Sequence, residues 1–230
     1  MFTNLVNFKV FEISDFLNDI KNQLYIGLLL ALFIITIIID YKLLPEAQRK
    51  TRCDFFDNAF GTKFIHNKNS EEYYTNDNIE KGIYKMAVDL FESSLFTYNI
   101  SSRMRFKRII LCCLLFVVLI PLSFYGFKNT FFIGIIILQA LLSIYFAGGL
   151  IKLLIFVGKN KEYFEELKSL FSNSNFKQNI IEYEAKIIKL YADYESTKAW
   201  SFIHLDSRIY NKINPTLSKE WEEMKQKYNI

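Results

Sequence analysis

Two histidines, three cysteines, three prolines and eight glycines are spread over the 230 residues of the chain, and each scarcity closes off a class. Cys53, Cys112 and Cys113 supply neither a disulfide framework nor metal-ligand spacing. The last two are adjacent within an apolar run, where they leave a helix in different directions and read as small hydrophobes. His66 and His204 are too distant in sequence to argue for a dyad. There is no glycine-rich phosphate loop, nucleophile elbow or zinc-helix motif. The expectation is therefore a protein that is not an enzyme and holds neither metal nor cofactor. Collagen-like and disordered classes are excluded by the low glycine and proline together with 23 Phe, 14 Tyr and 2 Trp. The net charge is only +4 and no run of five basic residues occurs, so direct nucleic-acid binding is not expected.

Charge is also missing locally. Asn22 to Ile39, Ile109 to Phe127 and Asn129 to Ile151 carry none over 18, 19 and 23 residues. A hydrocarbon layer about 30 Å thick takes roughly 20 apolar helical residues to cross. The expected fold class is thus an all-α integral membrane protein of about three transmembrane helices. Its cytoplasmic helical domain is built from two chain segments. The parts are an amphipathic N-terminal helix at 1–21, a first membrane helix at 22–40, a cytoplasmic segment at 41–108, a membrane hairpin at 109–151 and a cytoplasmic tail at 152–230. The first 21 residues carry a net charge of −1, unlike the basic start of a signal peptide, so the first run reads as a retained membrane helix. The amphipathic stretch before it suits an interfacial helix or a soluble helix packed on the body equally.

Basic residues orient the spans. Arg103, Arg105, Lys107 and Arg108 precede the second run, and Lys152, Lys159 and Lys161 follow the third, whereas the turn at Lys128 to Thr130 has one. By the positive-inside rule both ends of the hairpin face the cytoplasm of a bacterial inner membrane. Outside the runs, the spacing predicts helices over Glu46–Phe60, Asn78–Tyr98 and Lys152–Phe171, with a break at Ser172–Asn175. A long helical pattern covers Phe176–Ile213, with Ile180, Tyr183, Ile187, Tyr191 and Tyr194 on one stripe. Asn214-Pro215 reads as the start of a final helix.

Several residues stand out. Asp54 and Asp57 share a helix face, with Phe56 and Phe60 beside them and Gly61 as a helix C-cap. Without a third ligand at suitable spacing, the two carboxylates read as partners of Arg49, Arg52 or the basic cluster at 103–108. That cluster, Arg103, Arg105 and Arg108, suits lipid headgroups first and a phosphate-bearing ligand second. Trp200, His204, Asp206, Arg208 and Tyr210 combine aromatic and cationic groups that suit nucleotide stacking or helix contacts. In the apolar runs, Pro121 favours a kink and Gln139 an interhelical hydrogen bond. Ser143, Gly148 and Gly149 form a small-residue patch for close helix packing or a pore, in one chain or a homo-oligomer.

The sequence Phe56-Asp57-Asn58-Ala59-Phe60-Gly61, framed by membrane runs, resembles the SMODS-associated four-transmembrane effectors of bacterial anti-phage (CBASS) systems. Asp54, Phe56 and Asp57 fit that family's pattern in kind. Cys53 stands where Gln is usual, Phe64 where Trp is usual, and three runs are counted where the family has four spans. The resemblance implies an abortive-infection membrane effector. On a cytoplasmic signal, a cyclic nucleotide, it would oligomerise or rearrange in the lipid and disrupt the inner membrane, with a defence-system protein as a further partner. The alternative is a non-catalytic membrane scaffold that recruits a soluble partner through its helical tail.

Overall fold

A computed structural model of the chain describes residues 20, 23–24, 26–64, 76, 78–125 and 148–230. Those residues form five helices and no strand, as the all-α expectation requires: α1 (Ile26–Phe60), α2 (Ile83–Tyr125), α3 (Gly149–Phe171), α4 (Ile180–Ser201) and α5 (Ser207–Tyr228). The amphipathic segment before Ile20, His66, Gln139, Ser143 and the turn at Lys128 lie outside the described residues. The chain divides into two compact units, Met1–Thr51 and Arg52–Ile230.

In the first unit, α1 is the one helix among the described residues that is long and apolar enough to cross a membrane, and none of its most apolar window is buried. The first membrane helix and the helix expected over Glu46–Phe60 are one continuous helix. The helix runs through Pro45 by opening into a π turn at Ile39–Leu43, where the Leu44 N–H donates to the Ile39 carbonyl. Proline lacks the N–H and crowds the carbonyl four residues back, and a widened turn takes up that conflict without ending the helix.

The second unit has a core drawn from both soluble segments of the sequence. Phe55 and Ala59 of α1 pack with Met86, Leu90, Phe91 and Leu95 of α2. Phe164, Leu167 and Phe171 of α3, Ile187, Tyr191 and Tyr194 of α4, and Trp221 of α5 complete it. Of the stripe predicted on α4, Ile187, Tyr191 and Tyr194 are buried and Ile180 and Tyr183 half-buried. At the end of α1, Gly61 adopts φ +71° and its N–H donates to the Asp57 carbonyl at 2.9 Å, the C-cap expected of it. Gly82 has φ +148° and donates to the Ala59 carbonyl at 2.8 Å, which holds residues 78–82 in a turn and delays the start of α2 to Ile83.

From there α2 does not stop at Tyr98. It passes through the basic cluster and Pro121 to Tyr125 as one 43-residue helix. Among its side chains that the structure describes, the last buried ones are Ile100 and Ser101. Arg103, Lys107 and Arg108 are exposed, and beyond them Ile109, Ile110, Leu111, Leu114 and Val117 are exposed too. Helix α3 runs antiparallel beside it, with Phe171 stacked on Phe91 at one end and the Arg108 guanidinium donating to the Gly149 carbonyl at 3.2 Å near the other.

The tail departs from expectation. The pattern over Phe176–Ile213 is broken at Phe202, which takes the left-handed conformation at φ +52°. The last helix begins at Ser207, not at Pro215. The Asp206 carboxylate accepts from the N–H groups of Arg208 (2.8 Å) and Ile209 (3.3 Å) as its N-cap. Pro215 then lies inside α5. What keeps the helix intact there is the buried stripe Ile209, Ile213, Leu217 and Trp221 at four-residue spacing. An internal proline costs about 3 kcal/mol, so Pro215→Ala is expected to raise stability by about 1–3 kcal/mol in denaturant titrations of the detergent-solubilised chain. No gain at all would return the helix start to Pro215, where a proline is harmless.

Candidate functional site: a buried polar cluster between two helices

The most heavily charged part of the interior lies where the end of α1 meets the start of α2. Lys85, Asp89 and Glu92 follow each other at spacings of four and three, one stripe of α2 set among Met86, Leu90 and Phe91. Lys85 is 2% exposed, Asp89 0% and Glu92 8%. The Asn76 amide, from the segment before α2, donates to both carboxylates: to Asp89 Oδ1 at 2.9 Å and to Glu92 Oε2 at 2.7 Å. Lys85 Nζ donates to the Asn76 carbonyl at 3.0 Å. From α1, the Asn58 amide donates to Asp89 Oδ2 at 3.0 Å. Asp89 thus ties α1, α2 and the connecting segment together.

Burying charge is expensive, and the expense is tolerable only where polar partners are in place. Here the partners leave an imbalance. Glu92 sits beside the Asp89 carboxylate and near Glu222 of α5, with Lys225 and the Asn76 amide favouring its charged form. Burial outweighs both, and its pKa is pushed up from the ordinary 4.5 to about 7. The Asn76 side-chain carbonyl is buried with no partner among the described residues. A groove of ≈360 Å³ lined by Asn76, Ile79, Glu222 and Lys225 opens beside this cluster. No group of three or more His, Cys, Asp or Glu able to hold a metal occurs among the described residues.

The residues expected to matter fall into distinct places. Asp57 Oδ1 accepts from the Thr62 hydroxyl at 2.7 Å and from the Phe64 N–H at 2.8 Å, so it secures the turn after α1. Asp54 likewise has partners. Phe56 and Phe60 stack on each other and, with Arg52 and Tyr191, line a mostly apolar groove of ≈570 Å³. Tyr191 is stacked on Phe55 and its hydroxyl, raised in pKa by burial, has no hydrogen-bond partner among the described residues.

Two clusters remote in sequence do meet. The Asp206 N–H donates to Met104 Sδ at 3.4 Å, and Met104 shares one apolar cluster with Tyr210 and another with Ile203, so the corner around Ile203 to Tyr210 lies against the basic stretch of α2. Within that corner Asp206 is engaged as a helix cap and the Tyr210 ring lies 6.4 Å from that of Phe96. Trp200, His204 and Arg208 are exposed. Gly148 precedes α3 and Gly149 opens it.

Sequence reasoning passed over Asn76, Lys85, Asp89 and Glu92. Their signal was available: three ionisable residues at spacings of four and three on the same face as Met86 and Leu90. No protein-family model, no curated protein and no solved structure matches this chain.

Because folded Glu92 keeps a proton that the unfolded chain releases, stability contributed at this position falls as pH rises from 4.5 to about 7. Glu92→Gln removes the ionisation. Relative to this variant, the wild-type chain is expected to lose of the order of 3 kcal/mol across that window. Unfolding curves of both proteins at pH 4.5, 6 and 7.5 check this; a difference that does not change with pH would refute it.

Proposed function

We propose that the chain is a membrane-anchored effector of bacterial anti-phage defence. Its helical body faces the cytoplasm of the inner membrane. A soluble signal of nucleotide type, bound by the body, makes the membrane helices of several copies rearrange and breach the bilayer. The observation that carries this reading is the sequence of surfaces along α2. Residues packed in the core up to Ser101 give way to an exposed basic collar and then to an apolar rod on which Ile109, Ile110, Leu111, Leu114 and Val117 are exposed, all on one helix. Large apolar side chains left bare over that length have a strong drive to leave water. Arginine and lysine at their base match the anionic face of a cytoplasmic leaflet. The exposed run on α1 adds a second such rod.

A rearrangement needs an element common to the body and the bilayer. Helix α2 is such an element, and Arg108, bonded to the Gly149 carbonyl at the collar, ties it to α3. A Cβ at Gly149 would lie 3.1 Å from Arg108 Nη1 and displace that guanidinium. A scaffold that recruits a soluble partner is the second reading. It is favoured by Trp200, Phe202 and Leu205, large apolar side chains exposed together at the corner between α4 and α5.

Cells carrying the gene are expected to lose membrane potential after phage infection and before lysis, read with a potential-sensitive dye. Gly149→Leu should weaken the effect. Unchanged potential with the protein verified in the membrane fraction would rule the effector out. Co-purification of a stoichiometric soluble protein under the same conditions would favour the scaffold.

A further inference from the structure

We infer that the signal-binding site of the body is the cavity between the start of α2, the α3–α4 turn and the end of α5, and that it takes a small soluble anion bearing an aromatic ring, the chemistry of a nucleotide. This inference rests on the effector reading for its role but not for its chemistry. The cavity measures ≈490 Å³, within the range of small-molecule sites. Tyr84 and Tyr228 offer ring faces, Ser172 and Ser174 hydroxyls, and Lys177 and Lys227 two positive charges. Its lining contains no acidic side chain.

Neither lysine has a carboxylate partner among the described residues, although eight other lysines do. Lys177 Nζ instead rests over the Tyr84 ring at 5.0 Å from its centroid, and Lys227 Nζ lies 5.5 Å from that of Tyr228. A cation held only by a ring face is held weakly. An entering phosphate would draw both ammonium groups into charge-assisted hydrogen bonds, and the ring faces so vacated would be open to stacking by a base.

Position separates this site from lipid. Tyr84 precedes Ile109 by 25 residues on the same continuous helix, roughly 37 Å along its axis, so the cavity lies far from the apolar rod and its collar. Arg103 and Arg108, by contrast, stand at the collar, where headgroups account for them. Tyr84 is also the second residue of α2, so a ligand in the cavity contacts the very helix that continues into the apolar run.

The test uses the full chain in nanodiscs of zwitterionic lipid, titrated calorimetrically with adenosine monophosphate, adenosine and inorganic phosphate. Adenosine monophosphate is expected to bind about tenfold tighter than either fragment, since both the ring and the anion contribute. The double variant Lys177→Gln/Lys227→Gln should weaken it by about tenfold or more, Lys177→Arg should retain most of the affinity, and Tyr84→Leu should weaken the nucleotide and adenosine alike. A wild-type chain that binds no adenosine monophosphate at millimolar concentration would overturn the proposal. So would affinity unchanged in the double variant, with helicity by circular dichroism matching the wild type. Either failure beside intact, phage-dependent depolarisation removes this site and leaves the effector reading standing.

Discussion

The ring of Phe91 is the contact on which the helical body turns. It is fully buried on α2 and meets Phe164 and Phe171 of α3 at centroid distances of 5.5 and 5.0 Å, Trp221 of α5 at 5.5 Å and Tyr228 at 6.1 Å. One side chain therefore fixes the spacing of three helices. The same network reaches α4 through Phe176 and Tyr183, and the end of α1 joins α4 through Phe55 stacked on Tyr191. Aromatic pairs contribute about 0.5–1.5 kcal/mol each beyond the area they bury, and their offset and edge-on geometries are directional. A body made of rings is consequently more sharply specified than one made of leucine.

A charged cluster lies beside these rings. Asp89 and Glu92 flank Phe91 on α2, and their carboxylates accept from Asn58 at the end of α1 and from Asn76. A layer of apolar side chains there would pack as well and stabilise more, since buried ion clusters seldom outdo hydrophobic replacements. What the cluster supplies is register. The Asn58 amide binds Asp89 and the Asn76 amide bridges Asp89 and Glu92, so the end of α1, Asn76 and α2 are held in one register. The weak member is Glu92, whose proton is shared with neutral solution and whose charge acts on Asp89, Lys225 and Glu222 together.

Much of the body was legible in the sequence, and what was not has identifiable causes. The stripes Met86–Leu90–Leu95 and Ile187–Tyr191–Tyr194 follow from helical periodicity alone, and Gly61 announced the end of α1. Pro215 misled. Local propensity counts the missing N–H, whereas the structure weighs it against four buried side chains on α5. The break at Phe202 carries no glycine or proline and had no local signal, so only the Asp206 cap hinted at a new start. The candidate site is not legible because the conspicuous carboxylate pair in the sequence is Asp54 and Asp57 on α1. Asp57 closes its own turn, while the acids that organise the interior lie on the next helix, hidden among apolar neighbours that made the stretch read as plain core.

Under the effector reading proposed above, the arrangement also bears on how a signal in the body would reach the bilayer. Helix α2 is about 64 Å long if straight; its first half is gripped by α3, α4 and α5, while Ile109, Ile110, Leu111, Leu114 and Val117 in its second half are exposed. A rod held at one end moves as a lever. A small tilt in the gripped half becomes a larger displacement beyond Arg108, since the helix continues from Ile83 to Tyr125. The grip is a ring network on one face and an amide-bridged pair of carboxylates on another, and both end within one or two helical turns of Tyr84. A ligand that draws Lys177 off the Tyr84 ring would thus act on the end of the lever where the restraint is set, and the exposed apolar half would carry the change.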